Sequence, residues 1–107
     1  MSGADGTLKK LLRAVRCWDP NARVILFGSR ARGDYLSHSD YDLIVVSSRF
    51  EGVPFPRRAA LLAKELYKRG VIGNFEFLCY TPEEFDKKKR EISIVALALR
   101  EGIELSN

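Results

Sequence analysis

The sequence has few of the residues that form metal or redox sites by themselves. Its 107 residues include two cysteines, Cys17 and Cys79, and one histidine, His38. The cysteines lie far apart and have no cysteine or histidine partner at metal-ligand spacing, so the pattern favours two reduced thiols over a disulfide or a zinc site. His38 falls in a predicted loop, and the favoured interpretation is a solvated histidine rather than a catalytic one.

Long apolar runs are also lacking. No stretch approaches the roughly 20 apolar residues that a membrane-spanning helix needs. The first residues, Met1 to Asp5, do not have the basic and apolar regions of a signal peptide. Together these absences predict a cytoplasmic protein without a membrane partner.

The overall composition is that of a globular protein, with 46% hydrophobic and 30% charged residues. A length of 107 residues predicts a single domain, residues 1–107, with one small core. The net charge of +4 favours anionic ligands such as nucleotides, RNA or acidic protein surfaces, but it does not select among them.

Apolar periodicity and turn residues predict an alternation of helices and strands. A first helix is expected to be capped by Thr7 and to stop near Trp18, because Pro20 restricts the residue before it. Thr81, followed by Pro82 and Glu84, is the clearest helix start in the chain. The predicted strands are Arg23–Phe27, Tyr41–Val46, 74–80 and a short 103–105, and the further helices are 30–35, 57–69 and 82–100. This order predicts an α/β (α+β) fold, in which helices cover a small mixed sheet of three to four strands.

The residues with the clearest chemistry lie between the first two predicted strands. Gly28 and Ser29 end the first strand, where a glycine lets a phosphate approach the backbone and the amides of a following helical turn favour anions. After ten intervening residues come Asp40 and Asp42, which are two apart and therefore point to the same face of a strand. Two adjacent carboxylates repel each other unless a cation lies between them, and their hard oxygen ligands suit magnesium.

A third carboxylate, Glu76, lies in an otherwise apolar predicted strand. A charged side chain there is costly without a partner, and a metal ion shared with Asp40 and Asp42 would be one. Three carboxylates can hold two metal ions about 4 Å apart, the arrangement used for in-line phosphoryl transfer. The alternative is an edge-strand glutamate that faces water.

The chain resembles a known family through these motifs. Residues 28–34 (GSRARGD) and 39–46 (SDYDLIVV) are similar to the signature of the polymerase-beta-like nucleotidyltransferases, and the closest resemblance is to the minimal nucleotidyltransferase (MNT) family. The loop with Phe50, Gly52 and Pro54, the Glu76 strand and the segments 81–85 and 98–102 also match that family's layout. The resemblance covers essentially residues 8–105.

This resemblance implies a nucleotidyltransferase fold and specific roles for the motif residues. Gly28 and Ser29 would contact the triphosphate of ATP, while Asp40, Asp42 and Glu76 would bind Mg²⁺ or Mn²⁺ and carry catalysis. Many relatives have aspartate where this chain has Glu76. Arg30 is an additional candidate for phosphate contact, with a pair to Asp34 or exposure to solvent as equal alternatives.

Three other features leave alternatives open. Arg32 could also contact phosphate, and the basic run 87–90 could bind RNA, although such a run on a helix is usually solvated. The last helix is apolar on nearly every side, with Ile94, Leu97 and Ala98 left over after one stripe faces the sheet, so we expect a partner or self-association there.

The resemblance implies transfer of AMP from ATP to a hydroxyl of a macromolecular acceptor. In MNT-like families the usual partner is a helical HEPN protein, and the pair acts as antitoxin and toxin; a homo-oligomer and an RNA acceptor stay open. The main alternative is a catalytically weak module that neutralises or scaffolds a HEPN-type partner by contact. A small-molecule acceptor such as an aminoglycoside is less favoured, because the chain offers no additional substrate-binding segment.

Overall fold

The computed structural model describes residues 3–28, 41–91 and 94–106, without the side chains of residues 3–5, 94 and 98. The helices are α1 (Gly3–Trp18), α2 (Phe55–Lys68), α3 (Pro82–Lys88) and α4 (Ile94–Glu101). The strands are β1 (Arg23–Phe27), β2 (Tyr41–Val46), β3 (Phe75–Tyr80) and β4 (Ile103–Glu104), and a short 3₁₀ helix spans Ser48–Phe50.

The four strands form one mixed sheet in the order β3-β2-β1-β4. Strand β1 is antiparallel to both β2 and β4, whereas β2 and β3 are parallel. Arg23 of β1 holds the short β4 through a two-point ion pair with Glu104, with nitrogen–oxygen distances of 2.7 and 2.8 Å. The prediction of a small mixed sheet covered by helices is confirmed, and β1 and β2 have the predicted bounds.

Alternating side chains give the sheet two apolar faces, as expected for strands buried on both sides. On one face, Leu43 and Val45 of β2 pack with buried residues of α1 and α2, including Leu11 and Leu62. The other face joins residues of β1, β2 and β3 to α3 and α4 in a cluster of Ile25, Ile44, Val46, Tyr80, Phe85 and Val95. The sheet is therefore the middle layer, and its strand ends are the places left for polar chemistry.

A buried arginine on α2 contacts both β3 and α3. Arg58 of α2 donates from Nε to the Val53 carbonyl at 2.9 Å and from Nη1 to the Cys79 carbonyl at 3.2 Å. Its guanidinium also forms a two-point ion pair with Glu84 of α3, at 2.5 and 3.1 Å. Glu84 in turn completes the predicted capping box with Thr81, so one carboxylate both caps α3 and holds α2.

The predicted long helix from 82 to 100 is wrong. Helix α3 ends at Lys88, Lys89 and Arg90 form a turn, and α4 begins at Ile94. The run of basic residues explains the break, because it offers no apolar side chain to hold a further turn against the sheet. Lys87 and Lys88 instead lie in the last turn of α3, where positive charge is favourable.

Three smaller differences concern helix starts. Helix α1 begins at Gly3, so Thr7 lies inside it rather than at its cap. Helix α2 begins at Phe55 and accommodates Pro56 in its first turn, where a missing N–H has no cost. The predicted loop before it contains the 3₁₀ helix, capped by the Ser47 side chain. The predicted helix at 30–35 falls outside the described residues.

The two cysteines are free, and they differ in exposure. Cys17 is exposed, whereas Cys79 is buried in β3, where burial raises the pKa of its thiol to about 12. Within the described ranges, no group of three cysteine, histidine or acidic side chains could hold a metal ion. No helix in those ranges combines the length and the apolar character needed to cross a membrane.

Candidate active site

Gly28 follows β1 with a backbone conformation that favours glycine. Its φ of 77° lies in the left-handed region, which other residues enter at a cost of about 1–2 kcal/mol. A Cβ atom at this position would also overlap the Asp42 carboxylate, with Asp42 Cγ only 3.2 Å away. Two independent constraints therefore favour glycine, and the second shows that the Asp42 carboxylate lies directly against the backbone at the end of β1.

Asp42 and Glu76 are brought together by the pairing of β2 with β3. Asp42 is the register partner of Phe27 on β1 and of Glu76 on β3. Register partners of neighbouring strands lie about 4.8 Å apart and point to the same face. The structure thus aligns these two predicted metal ligands side by side, next to Gly28. Asp42 is half-buried and Glu76 is exposed.

The remaining predicted site residues lie outside the described residues. These are Ser29, Arg30 and Asp40, together with Arg32 and His38, and they stay predictions. The chemistry of the described donors fits a divalent cation, because Asp42 and Glu76 present hard carboxylate oxygens from adjacent strand positions.

A cleft of about 860 Å³ begins at these two carboxylates and follows β3. Its lining includes Asp42 and Glu76 at the sheet, and Ala59, Ala63 and Tyr67 on α2. The α2 residues were not among the sites predicted from the sequence. Their signal was the spacing of four between Ala59 and Ala63, which puts two small side chains on one face of a helix.

The basic run 87–90 has partners on its own segment. Lys89 and Arg90 lie 3.1 and 2.7 Å from Asp86 carboxylate oxygens, and Lys88 lies 3.9 Å from Glu91. All of these side chains are substantially exposed. The arrangement is that of a solvated, internally paired helix end, which agrees with the favoured interpretation and gives no support to an RNA patch.

Comparison with known proteins identifies the family. The family model described as "Nucleotidyltransferase domain" matches residues 8–100, which includes Gly28, Asp42 and Glu76. The chain belongs to this nucleotidyltransferase family. The resemblance drawn from the Gly28 and Asp42 motifs is thereby confirmed at family level, and the MNT layout fits it.

Individual relatives agree with the assignment. A protein of Methanocaldococcus jannaschii, named provisionally as a protein adenylyltransferase, is 39% identical over 80 residues, which are 75% of this chain and 73% of that protein. A crystal structure from Sulfolobus solfataricus, described provisionally as a nucleotidyltransferase, matches with a TM-score of 0.62 and 25% identity over 92% of this chain and 76% of the other.

A second solved structure carries the same provisional description. It matches with a TM-score of 0.60 and 25% identity, and the match covers 98% of this chain and all of the other. The nucleotidyltransferase family generally uses a nucleoside triphosphate and a divalent metal ion. The assignment of Gly28, Asp42 and Glu76 to the nucleotide site of this family stays a prediction.

Proposed function

We propose that this nucleotidyltransferase transfers AMP from ATP to a hydroxyl group of a protein acceptor and releases pyrophosphate. The observation that carries the proposal is the alignment of Asp42 with Glu76 beside Gly28. Two carboxylates thus lie at the end of β1, beside the glycine that the sequence motif predicts to contact the triphosphate. The M. jannaschii relative's name supports a protein acceptor over a small molecule or an RNA end.

Each predicted site residue has a role in this reaction. Gly28, Ser29 and Arg30 would hold the triphosphate, because backbone amides and a guanidinium both suit phosphate oxygens. Asp40, Asp42 and Glu76 would bind Mg²⁺ or Mn²⁺, which when bound supplies charge stabilisation for the attacking and leaving oxygens. Glu76, exposed at the mouth of the cleft, would accept the proton of the incoming hydroxyl.

The partner in this proposal is a helical HEPN-type protein, with the present chain acting as its antitoxin in the cytoplasm. Modification of the partner's hydroxyl by AMP would add a bulky, charged group and block the surface that carries it. The described residues leave an accessible route to Glu76 through the cleft beside β3, as a macromolecular acceptor needs.

The decisive experiment uses Glu76→Gln, with Glu51→Gln as a control, because Glu51 is an exposed glutamate that follows the opposite end of β2 from Asp42. Both proteins are incubated with labelled ATP, magnesium and the candidate HEPN partner, and mass analysis identifies the molecule that gained AMP. We expect Glu76→Gln to retain ATP binding, since Asp40 and Asp42 remain, yet to lose transfer by roughly 10²–10⁴-fold. Unchanged transfer in Glu76→Gln would remove this residue from the mechanism.

The metal assignment is tested by a separate experiment. Calorimetric titration with magnesium and a non-hydrolysable ATP analogue should show binding that disappears in the double variant Asp40→Asn/Asp42→Asn. If nucleotide and metal affinity stayed unchanged in that variant, the two aspartates would not be ligands.

A second candidate function, a contact-based binding module, is favoured by one observation on α4. Leu97 is 52% exposed although it lies on an apolar helix. An exposed leucine on such a helix fits association with a partner. If the wild-type protein bound nucleotide but transferred AMP to no partner protein or RNA, this second function would replace the first.

A further inference from the structure

Strand β3 has an outer edge that no described strand covers. It lies at one end of the sheet and pairs with β2 on its inner side. The Asn74 carbonyl accepts from the Tyr41 N–H at 3.0 Å, and the Tyr80 carbonyl accepts from the Ser47 N–H at 2.9 Å. Along a strand, the N–H and C=O groups of successive residues point to opposite sides. Those of Glu76 and of residue 78 therefore also face β2.

The backbone groups of Phe75, Phe77 and Cys79 therefore point outward. The contact of Arg58 supports this alternation, because its Nη1 reaches the Cys79 carbonyl at 3.2 Å from the α2 side. Arg58 thus closes the carboxyl end of the outer edge. The open part of the edge is centred on Phe75 and Phe77, the two residues that flank Glu76.

The cleft surrounds this open part of the edge. Its lining includes Glu76 from one face of the sheet and Phe75 and Phe77 from the other. The opposite wall is formed by the small side chains of Ala59 and Ala63 on α2. A cleft of about 860 Å³ beside a strand edge that no described strand covers offers room for one more extended chain and its side chains.

We propose that the protein acceptor binds as an added β-strand on the outer edge of β3 and presents its hydroxyl residue opposite Glu76. The proposal rests on the proposed AMP transfer and specifies how the acceptor is recognised. Directly opposed residues of paired strands have Cβ atoms about 4.5–5.5 Å apart, so the hydroxyl residue would lie beside the Glu76 carboxylate. The two acceptor residues that flank the hydroxyl residue would point to the other face of the sheet, towards Ala59 and Ala63.

The charge next to the alanine wall defines the acceptor further. Arg57 and Lys64 lie one helical turn on either side of Ala60, which also lines the cleft, and both are exposed. Within the described part of the chain, neither forms an ion pair. An extended acceptor with apolar residues next to the hydroxyl residue, and acidic residues three positions away on the same side, complements this wall.

The probe is the blocked heptapeptide Glu-Gln-Val-Tyr-Val-Gln-Glu, tested as an AMP acceptor with ATP and magnesium. A set of peptides with one N-methylated amide each removes the backbone donors in turn. N-methylation of an amide that points at β3 should weaken transfer by roughly three- to tenfold. N-methylation of an amide that points away from β3 should have little effect. The loss should therefore alternate along the peptide, and its phase reports whether the strand is antiparallel or parallel.

A protein variant tests the same contact from the other side. Ala63→Trp fills the cleft, whereas Lys68→Trp puts the same side chain on another face of α2, five residues further on. We expect Ala63→Trp to reduce AMP transfer to the peptide more than tenfold with unchanged calorimetric binding of ATP and magnesium, and Lys68→Trp to change neither.

The outcomes separate this proposal from the proposed function. A peptide that accepts no AMP, a uniform effect of N-methylation, or full transfer by Ala63→Trp would overturn strand addition. Edge-to-edge pairing of two copies through β3, seen as a dimer that the peptide does not dissociate, would overturn it as well. Failure of the wild type to bind ATP and magnesium would instead contradict the proposed function.

Discussion

At the scale of single residues, Gly28 links the backbone of β1 to the carboxylate of Asp42. Its positive φ alone would favour glycine, as it does at Gly52 and Gly70, where a Cβ atom would meet no other atom. At Gly28 the Asp42 carboxylate fills the space that a side chain would need. Replacing the glycine should therefore have only a local conformational cost at Gly52. At Gly28 the replacement should also disturb the predicted site.

This difference gives a matched pair of variants. Gly52→Ala and Gly28→Ala should each lose about 1–2 kcal/mol of unfolding free energy from the left-handed conformation, measured by urea denaturation. Gly28→Ala should also displace Asp42 and so lose magnesium-dependent ATP binding, which Gly52→Ala should retain. Equal ATP affinity in the two variants would show that the contact between Gly28 and Asp42 has no part in nucleotide binding.

At the scale of elements, Glu84 connects α3 to α2 and to the end of β3. The hydrogen bond from Arg58 is the main cause that lowers the pKa of Glu84 below its usual value of 4.5. The ionised carboxylate is thus favoured in the folded state. Its contribution to stability is present above the unfolded pKa, near 4.5, and is lost as the pH falls through the lower folded value.

Glu84→Gln should therefore destabilise the protein at pH 7 and flatten the loss of stability below pH 4.5. The expected decrease at pH 7 is roughly 1–3 kcal/mol, because the buried Arg58 loses its charged partner while the exposure of Glu84 limits the effect. The adjacent Glu83→Gln is the control, since Glu83 is exposed on the same helical turn. Denaturant titrations from pH 3 to 8 would show identical profiles for the two variants if the Arg58 contact were unimportant.

At the scale of the whole molecule, the exposed apolar side chains lie on both helical layers. Leu97 on α4 is 52% exposed, and Tyr67 on α2, across the sheet, is 69% exposed. The interpretation of the last helix as an association surface concerned Ile94, Leu97 and Ala98, and only the Leu97 side chain is among the described ones. Its exposure supports that part of the prediction.

Association through α4 should depend on Leu97 and not on Tyr67. In light scattering, Leu97→Lys is expected to shift the protein towards monomer or to abolish its complex with the HEPN-type partner. The reason is that a lysine cannot enter an apolar interface without a partner charge. Tyr67→Lys should leave the mass of the protein alone unchanged, and any effect on the complex would report on the cleft that Tyr67 lines. A wild-type protein that is monomeric both alone and with the partner would contradict this prediction, and circular dichroism would exclude unfolding of either variant.

Local sequence patterns determined the elements whose signals are complete within a few residues. The β-branched runs fixed β1 and β2 to the residue, and Thr81, Pro82 and Glu84 fixed the start of α3 through caps that involve only neighbouring residues. The glycine of the Gly28 turn and the choice of Asp42 and Glu76 were likewise available from motif and residue type.

Contacts between distant residues were decided only by the tertiary structure. The register that aligns Asp42 with Glu76, the closeness of Gly28 to Asp42, and the contact of Arg58 with the Cys79 carbonyl each join separate elements. The break between α3 and α4 was also decided by the tertiary structure, because a further helical turn is stable only where it packs against another element. Such choices depend on how the faces of the sheet are covered, and no short window of sequence contains that information.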